Sequence, residues 1–205
     1  MAGNSRLIAE YADIHAREAH RILSLKSLRL LRPEIKLRKP QSIVDYGCGQ
    51  SILLDRLDLG YPVDLYRYDP AIPAYATKPQ VTADLLINID VLEHVEEDDL
   101  DEVLADMRSM CRDVLIVVDT APARRTLPDG RNLHVTLKSH DWWRERIGRH
   151  FGDLEPVRTL RSARAGFKTW RRSPKDTVQF HVLRAIETAR YYAKRVQGKS
   201  KALKG

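Results

Sequence analysis

Two strongly apolar runs constrain the fold of this chain most strongly. Residues 84–91 read DLLINIDV, and residues 114–119 read VLIVVD. A strand with one face in water alternates apolar and polar residues, whereas a strand of a parallel sheet is covered on both faces and is apolar almost throughout. The two runs therefore predict central strands of a parallel sheet with helices on both faces.

The segments around these runs alternate between strand and helix patterns. Ser42–Tyr46 is a short apolar run that ends in glycines, Ser51–Leu57 resumes a helical pattern, and Val63–Tyr68 alternates like a strand. Residues 96–110 begin with acidic side chains and carry apolar residues on one face, which predicts a further helix. Such alternation predicts an α/β fold with a doubly wound, mostly parallel sheet.

The second half of the chain predicts the edge of that sheet. A helix is expected around Asp141–His150. Glu155–Arg161 and Gly166–Arg172 flank the sequence SARAG and predict an antiparallel hairpin at the sheet edge. Between Asp69 and Asp84 there is room only for a reduced third strand.

Chain length predicts one domain with appendages. A chain of 205 residues is long enough for one substantial core and small for two. We expect a single domain over residues 1–172, with leading helices in 1–40 and the sheet core in 42–172. Ser173 and Pro174 resemble a helix start, so residues 173–205 predict a basic C-terminal helix that frays after Gly198.

The positive charge of the chain is concentrated at its C-terminal end. Residues 158–205 contain 14 Lys and Arg and two acidic residues, so this segment carries +12 while the whole chain carries +7. A basic helix of this kind can follow the phosphates of a nucleic acid or an anionic membrane, and a solvated basic helix explains the charge equally well. RNA is therefore an alternative partner.

Cysteine content and the N-terminal sequence predict a cytoplasmic protein. The first twenty residues contain no apolar run of a signal peptide and nothing long enough to span a bilayer. Cys48 and Cys111 are too few for a disulfide framework. Glu93 and His94 are adjacent, but no second pair of ligands follows them with metal spacing, so we expect no metal site.

The sequence SIVDYGCGQS, residues 42–51, indicates where a ligand binds. In an open parallel sheet, ligands bind at the carboxyl ends of the strands, and a glycine-rich first turn lets them approach the backbone. Gly47 and Gly49 occupy this turn. Asp69 ends the next strand, where a carboxylate can accept hydrogen bonds from both hydroxyls of a ribose. The arrangement predicts a ligand that contains a nucleoside.

Two common nucleotide motifs are missing. Residue 52 is isoleucine, so the third glycine of a dinucleotide-binding G-x-G-x-x-G is absent, and no Gly-Lys-Ser/Thr of a P-loop follows. Instead, Asp45 precedes Gly47 by two residues. The resulting D-x-G-x-G resembles the first motif of the class I S-adenosylmethionine-dependent methyltransferases. This resemblance implies that Asp45 and the glycine backbone lie beside the methionine portion of the cofactor.

Further blocks extend the resemblance over about residues 42–143. YDPAI, residues 68–72, resembles the strand end that binds ribose, and DVLEHV, residues 90–95, looks like the block after the fourth strand in the small-molecule branch. LPDGRNLHVTLKSHDWW, residues 127–143, looks like a block of uncharacterised bacterial and phage members. The family implies a seven-stranded, Rossmann-like sheet and S-adenosylmethionine as cofactor. The implied cofactor-binding residues are Asp45, Gly47, Gly49, Gln50, Asp69, Pro70, Asp90 and Leu92.

The loop after the last central strand supplies the candidate catalytic residues. Methyl transfer is an in-line displacement, so an enzyme mainly aligns the reacting groups, and an alcohol acceptor must also lose its proton. His134 is the candidate base, because its loop should overhang the site. Asn132 would face the same way in an extended segment and orient the acceptor. Alternatively, both residues only hold the loop to the sheet.

These observations predict a methyltransferase for a small polar acceptor, such as a hydroxyl of a sugar or an envelope precursor. The first alternative is an RNA methyltransferase that uses the basic C-terminal helix, although the Asn/Asp-Pro-Pro-aromatic block of base-amine methylation is absent. The second is a catalytically inactive, cofactor-binding partner subunit, since a fold alone does not establish activity. The sequence leaves the oligomeric state open.

Overall fold

A computed structural model of the chain describes Ala12 and residues 23–202. The first part of the predicted leading helices, apart from Ala12, and residues 203–205 of the predicted tail lie outside the described residues. Among the residues that the structure describes, no helix is long and apolar enough to cross a membrane.

One mixed sheet forms the centre of the fold. Its strands, in chain order, are β1 Ser42–Tyr46, β2 Asp64–Tyr68, β3 Ala83–Ile89, β4 Cys111–Asp119, β5 Glu155–Pro156 and β6 Arg164–Lys168. Their spatial order is β2-β1-β3-β4-β6-β5. The first four strands pair in parallel, and β6 runs antiparallel to both β4 and β5. The predicted doubly wound α/β fold and its antiparallel edge hairpin are therefore confirmed.

Four helices accompany the sheet in the described part of the chain. They are α1 Leu23–Arg38, α2 Leu100–Ser109, α3 His140–Phe151 and α4 Pro174–Ala202. The start of α3 is fixed because the Ser139 hydroxyl accepts a hydrogen bond from the Trp142 N–H at 3.2 Å. The Ser173 hydroxyl accepts from the Asp176 N–H at 3.1 Å and begins α4 in the same way. The helix continues beyond Gly198, where the sequence predicted fraying.

Side chains of the central strands alternate between two cores. Ile43 and Leu85 pack on the face covered by α1, whereas Val44 and Leu86 pack on the face covered by α2 and α3. All four side chains are fully buried. Because each face has its own helical cover, most positions on both faces are apolar, which explains the strongly apolar runs in the sequence.

The C-terminal helix α4 packs against α1. Glu187 of α4 is buried and forms an ion pair with Arg32 of α1. The Arg29 guanidinium lies over the Tyr191 ring, 4.7 Å from its centroid. The division of the chain at residue 172 stays a prediction, but α4 has a specific contact surface on α1.

The predicted helix after the glycine turn is wrong. Residues 51–57 form only a short 3₁₀ turn at Leu54–Arg56. Gly60, with φ of +80°, and Pro62 interrupt the chain shortly before β2 begins. The segment is too short for a stable helix, and a 3₁₀ turn is enough to bury Leu53 and Leu54 against the sheet.

The reduced third strand is absent among the described residues. Between β2 and β3 the chain forms a 3₁₀ turn at Pro73–Tyr75 and otherwise lacks regular structure. Pro70, Pro73 and Pro79 cannot donate to a strand ladder, which disfavours a strand here. The sheet therefore has six strands instead of the expected seven-stranded type, and β2 is its edge.

Candidate active site

The carboxyl ends of the parallel strands bring the predicted residues to one edge of the sheet. Gly47 follows β1, Asp69 follows β2, Asp90 follows β3, and Asp119 ends β4. Because β2 and β3 lie on opposite sides of β1, the winding direction reverses there. Such a reversal opens the crevice in which α/β proteins bind their ligands. Arg164 joins this edge because β6 is antiparallel and pairs it with Asp119.

The glycine turn requires glycine for two reasons. Gly47 and Gly49 have φ of +74° and +50°, in the left-handed region that other residues rarely adopt. A Cβ atom on residue 47 would also lie 2.6 Å from Cγ2 of Val91, closer than real atoms approach. The turn after β1 therefore lies directly against the turn after β3.

Asp69 is fixed beside this turn by main-chain hydrogen bonds. The side chain is 7% exposed. Its Oδ2 accepts a hydrogen bond from the Gly49 N–H at 2.7 Å, and its Oδ1 accepts one from the Ala71 N–H at 2.8 Å. Each carboxylate oxygen has a second lone pair, so the group retains capacity to accept hydrogen bonds from hydroxyls. Pro70 is exposed and Gln50 half-buried nearby in the chain.

Asp45 lies in β1, just before the turn, and is buried. The pKa of Asp45 is raised from its ordinary value of 3.8 to about 7, mainly by burial; Arg67 opposes the shift and the nearby Asp69 charge adds to it. Arg67 is the residue paired with Asp45 on β2. A carboxyl group with this pKa changes its charge near neutral pH, so a cationic ligand group would favour its ionised form.

Asp90 connects β3 to the following turn in an unusual conformation. Its φ is +58°, which is uncommon for a residue other than glycine. Its Oδ2 accepts a hydrogen bond from Arg164 Nη2 at 2.7 Å, while its Oδ1 is buried without a hydrogen-bond partner among the described residues. Burial raises the pKa of Asp90, and Arg164 opposes this effect.

Leu92 follows in a short 3₁₀ turn, and its side chain points into the core. It is fully buried with Val44 and Leu100 on the face covered by α2 and α3. A contact between Leu92 and a cofactor would therefore have to use its main chain.

The amide of Asn132 is engaged inside its own loop. Its Oδ1 accepts hydrogen bonds from the Ala123 N–H at 3.0 Å and from the His134 N–H at 2.9 Å. Its Nδ2 donates to the Ala123 carbonyl at 3.0 Å. These contacts favour the alternative in which Asn132 holds the loop, and they place His134 at a defined position.

The rings of His94 and His134 are in contact beside this loop, and both have the same tautomer. His134 Nδ1 lies 2.6 Å from the Ala121 carbonyl oxygen, and His94 Nδ1 lies 3.0 Å from the Leu133 carbonyl oxygen. Because a carbonyl only accepts, each Nδ1 carries a proton and the lone pair of each neutral ring resides on Nε2. The two rings meet edge to face, with their centroids 5.0 Å apart.

Sequence reasoning did not place Arg164 at this site, and it considered Glu93 and His94 only as an incomplete metal motif. Glu93 is fully buried, and burial together with Asp90 raises its pKa well above the ordinary value. Its Oε1 accepts a hydrogen bond from the Asp119 N–H at 3.1 Å. The prediction of no metal site assumed that no ligand joins Glu93 and His94, but the loop carries His134 to them. Only the folded loop reveals this partner.

The glycine turn and its acids fit S-adenosylmethionine. The left-handed backbone and the Val91 contact require glycine at residue 47, as in the tight glycine turns that approach a bound cofactor. The Asp69 carboxylate is fixed at the same turn, where ribose hydroxyls are expected. Buried Asp45 offers a negative charge for the cationic cofactor. These residues would hold the cofactor, whose role is to supply an electrophilic methyl group.

Comparisons with known proteins agree with this geometry. The sequence model of a family described as "Methyltransferase domain" matches residues 15–172, which is most of the chain. A search of curated proteins finds no match.

Solved methyltransferase structures share the fold at low sequence identity. A 1,6-didemethyltoxoflavin-N1-methyltransferase of Burkholderia thailandensis has a TM-score of 0.57 and 13% identity, over 78% of this chain and 86% of that one. The DhpI–SAM–HEP complex has a TM-score of 0.55 and 15% identity, over 82% and 95%.

Human N-acetylserotonin methyltransferase, in complex with SAM, has a TM-score of 0.52 and 15% identity, over 72% of this chain. The chain spans only 52% of that protein's length. With the family match and the geometry of the glycine turn, the chain belongs to the methyltransferase-domain family, among the class I S-adenosylmethionine-dependent methyltransferases.

Proposed function

We propose that this methyltransferase binds S-adenosylmethionine at the glycine turn and methylates a hydroxyl of a small polar acceptor, such as a sugar or an envelope precursor. The proposal rests on one observation: the glycine turn after β1 and the loop after β4 lie at the same edge of the sheet. Gly47 and Gly49 lie in the turn after β1, and Asp69, which follows β2, accepts a hydrogen bond from the Gly49 N–H. The loop after β4 places the His134 ring beside His94, next to the turn after β3.

Each cofactor-binding residue has a defined part in the proposal. Asp69 would accept hydrogen bonds from the ribose hydroxyls, while the main chain at Gly47 and Gly49 approaches the cofactor closely. Asp45 would lie near the methionine portion. The remaining predicted contacts, which complete the pocket, are Gln50, Pro70, Asp90 and the main chain of Leu92.

His134 suits a hydroxyl acceptor. An alcohol must lose its proton as it attacks, and a neutral imidazole with a lone pair on Nε2 can accept that proton. The Nδ1 hydrogen bond to the Ala121 carbonyl, at 2.6 Å, fixes this tautomer. Small acceptors are further supported by the structural neighbours, which include a 1,6-didemethyltoxoflavin methyltransferase and an N-acetylserotonin methyltransferase.

A screen with isotopically labelled methyl donor tests the proposal. The full chain is incubated with labelled S-adenosylmethionine and with separate pools of sugars, small alcohols and RNA, and products are identified by mass spectrometry. The proposal predicts label on an oxygen of a sugar or alcohol, and loss of that product in Asp69→Ala. Asp64→Ala, at the exposed start of β2, is the matched control and should retain the product. Label on nitrogen or carbon only would contradict hydroxyl methylation.

A basic cleft supports RNA methylation as the second candidate function. A cleft of about 720 Å³ between the β5–β6 hairpin and α4 is lined by several basic side chains: Arg158, Lys168, Arg171, Arg172 and Arg184. Affinity for a phosphate backbone falls steeply with salt, because binding releases counterions. Methyl label on RNA, together with an RNA affinity that falls steeply with salt, would favour this candidate over a small acceptor.

The same screen addresses the third alternative, an inactive partner subunit. Cofactor binding without label in any acceptor pool would favour that role. We also propose a cytoplasmic location, and the free, buried thiols of Cys48 and Cys111 support it because they are consistent with a reducing compartment.

A further inference from the structure

Three side chains below the β4 loop form a cluster with the composition of a metal site. Glu93, His94 and His134 each offer one ligand atom, and these atoms all lie within 4.8 Å of one another. Glu93 and His94 come from the turn after β3, whereas His134 comes from the loop after β4. We infer that this cluster binds a divalent first-row metal ion and presents it to an oxygen of the methyl acceptor.

The hydrogen bonds around the cluster prepare the histidines as ligands. Both Nδ1 atoms donate to main-chain carbonyls, at 2.6 Å for His134 and 3.0 Å for His94. Metal-binding histidines usually donate their second ring N–H in this way, which fixes the ring and directs the lone pair of the other nitrogen. The loop is fixed as well, since the Thr136 N–H donates to the Glu93 carbonyl at 3.1 Å.

Glu93 supplies the second, independent observation. The side chain is fully buried, and Oε1 accepts a hydrogen bond from the Asp119 N–H at 3.1 Å. Its Oε2 is buried and has no hydrogen-bond partner among the described residues. A buried polar oxygen without a partner is costly, and direct coordination to a cation would remove that cost.

Local charge also favours a cation. Three acidic side chains gather at this edge, namely Asp90, Glu93 and Asp119. The buried positive charge that faces them is Arg164, which contacts Asp90 at 2.7 Å and Asp119 at 3.4 Å. Arg161 reaches Asp119 only at 3.8 Å and is 60% exposed. A divalent ion would stabilise the ionised forms of these acidic groups.

The ligand set indicates the class of ion. Two imidazoles and one carboxylate suit zinc, manganese, iron or cobalt better than magnesium, which prefers oxygen ligands alone. Three protein ligands leave positions for water or substrate, as in catalytic metal sites. Ligand atoms about 2.1 Å from a tetrahedral ion lie about 3.4 Å apart, so the three side chains would close inward on binding.

The position of the ion connects it with methyl transfer, and this step rests on the proposed function. A coordinated hydroxyl is more acidic than a free one and is held in a fixed orientation. The acceptor oxygen would then bond to the methyl carbon as the carbon–sulfur bond breaks, sulfur keeping its electron pair and the hydroxyl proton passing to water. A His134 nitrogen that binds the ion cannot also take that proton, so ligation replaces the role of general base.

Metal titration of the full chain tests the inference. After chelation and desalting, untagged protein with bound S-adenosylhomocysteine is titrated calorimetrically with Mn²⁺, Zn²⁺ and Mg²⁺, and bound Mn²⁺ is confirmed by electron paramagnetic resonance. We expect one site per chain with micromolar or tighter affinity for Mn²⁺ or Zn²⁺, and weaker binding of Mg²⁺.

Conservative variants identify the ligands. Glu93→Gln keeps an acceptor for the Asp119 N–H, and His134→Asn keeps a donor for the Ala121 carbonyl, yet each removes one ligand atom. Both should weaken metal binding roughly 100-fold or more. His150→Asn is the matched control, because His150 lies on α3 and pairs with Asp101. Circular dichroism establishes the fold of each variant, and if Glu93→Gln unfolds, His134→Asn decides.

The outcomes separate the inference from the proposed function. Absence of a site for any of the three ions at millimolar concentration would overturn the inference, as would a site that survives both substitutions. Failure of S-adenosylhomocysteine to bind would instead count against the proposed function, and the metal titration is then repeated without it. Metal binding that only the cluster variants lose supports the inference in either case.

Discussion

Arg164, the first residue of β6, donates a hydrogen bond to Asp90 across the sheet edge at 2.7 Å. The arginine is 6% exposed and also lies 3.4 Å from Asp119. Asp90 and Asp119 end the two central strands β3 and β4, so one guanidinium from an antiparallel strand connects the carboxyl ends of two parallel ones. This pairing gives the edge hairpin a direct role in the geometry of the site.

Removing Arg164 should destabilise the protein strongly. Arg164→Ala leaves the buried Asp119 and the half-buried Asp90 without their main counter-charge, and we expect the free energy of unfolding to fall by about 3 kcal/mol. Urea unfolding followed by circular dichroism measures the change. Arg161→Ala is the control, because Arg161 lies 3.8 Å from Asp119 and is 60% exposed. An equal decrease in the free energy of unfolding in both variants would contradict the role of Arg164 as the main counter-charge of Asp90 and Asp119.

Alanine at residue 47 should damage both folding and cofactor binding. In Gly47→Ala, the backbone is left-handed and the new Cβ atom would lie 2.6 Å from Val91. In Gly60→Ala, φ is also positive, at +80°, but no heavy atom lies within 4 Å of the new Cβ. Backbone strain alone costs about 1–2 kcal/mol, so Gly60→Ala measures that part. We expect Gly47→Ala to lose more stability and to weaken binding of S-adenosylhomocysteine. Similar results for the two variants would show that contact with Val91 is unimportant.

Loss of the Asp69 carboxylate should weaken the cofactor complex. Asp69→Ala removes both the expected ribose contact and the acceptor for the Gly49 N–H at 2.7 Å, which fixes the turn. A charge-assisted hydrogen bond contributes about 1.5–3 kcal/mol, so calorimetry should show roughly 10- to 100-fold weaker binding. Asp64→Ala, at the exposed start of the same strand, should bind like wild type. Unchanged affinity in Asp69→Ala would place the ribose elsewhere.

Stability should depend on pH through Asp45. Burial raises the pKa of Asp45 to about 7 from an ordinary 3.8, so the folded protein retains a proton that the unfolded chain releases near pH 4. The Asp45 contribution to the unfolding free energy is therefore greatest below pH 4, decreases as pH rises to about 7, and is constant above that. The decrease amounts to about 4 kcal/mol at most.

Asp45→Asn isolates this dependence. The amide does not titrate, so the wild-type free energy of unfolding minus that of Asp45→Asn should decrease between pH 4 and 7. Asp58→Asn, at an exposed position, should show no such difference from wild type. A flat difference between wild type and Asp45→Asn would mean that the folded carboxyl has an ordinary pKa.

Local sequence patterns predicted the parts of the fold that depend on local physics. The apolar runs of β3 and β4 reflect burial on both faces, and Gly47 reflects a left-handed turn, so each feature is visible in a few adjacent residues. The helix expected at Ser51–Leu57 failed because its apolar spacing fits a 3₁₀ turn equally well. The connection from this segment to β2 is short and contains Gly60 and Pro62, which favours the 3₁₀ turn over the α-helix.

The site was less predictable because its contacts join distant segments. His134 meets Glu93 and His94 only when the β4 loop folds back, and hydrogen bonds within that loop fix its path. Arg164 lies in the short sequence SARAG, where nothing local indicates a buried partner. Pairing of β6 with β4 places it beside Asp119, so its role follows from sheet topology.

Calorimetric titration of S-adenosylhomocysteine into the full chain tests the central claim most directly, because every proposed role depends on a cofactor at the glycine turn. We predict binding of one molecule per chain in the micromolar range, a free energy of about −8 kcal/mol. Binding of a nicotinamide dinucleotide, with no heat from S-adenosylhomocysteine or S-adenosylmethionine, would contradict it.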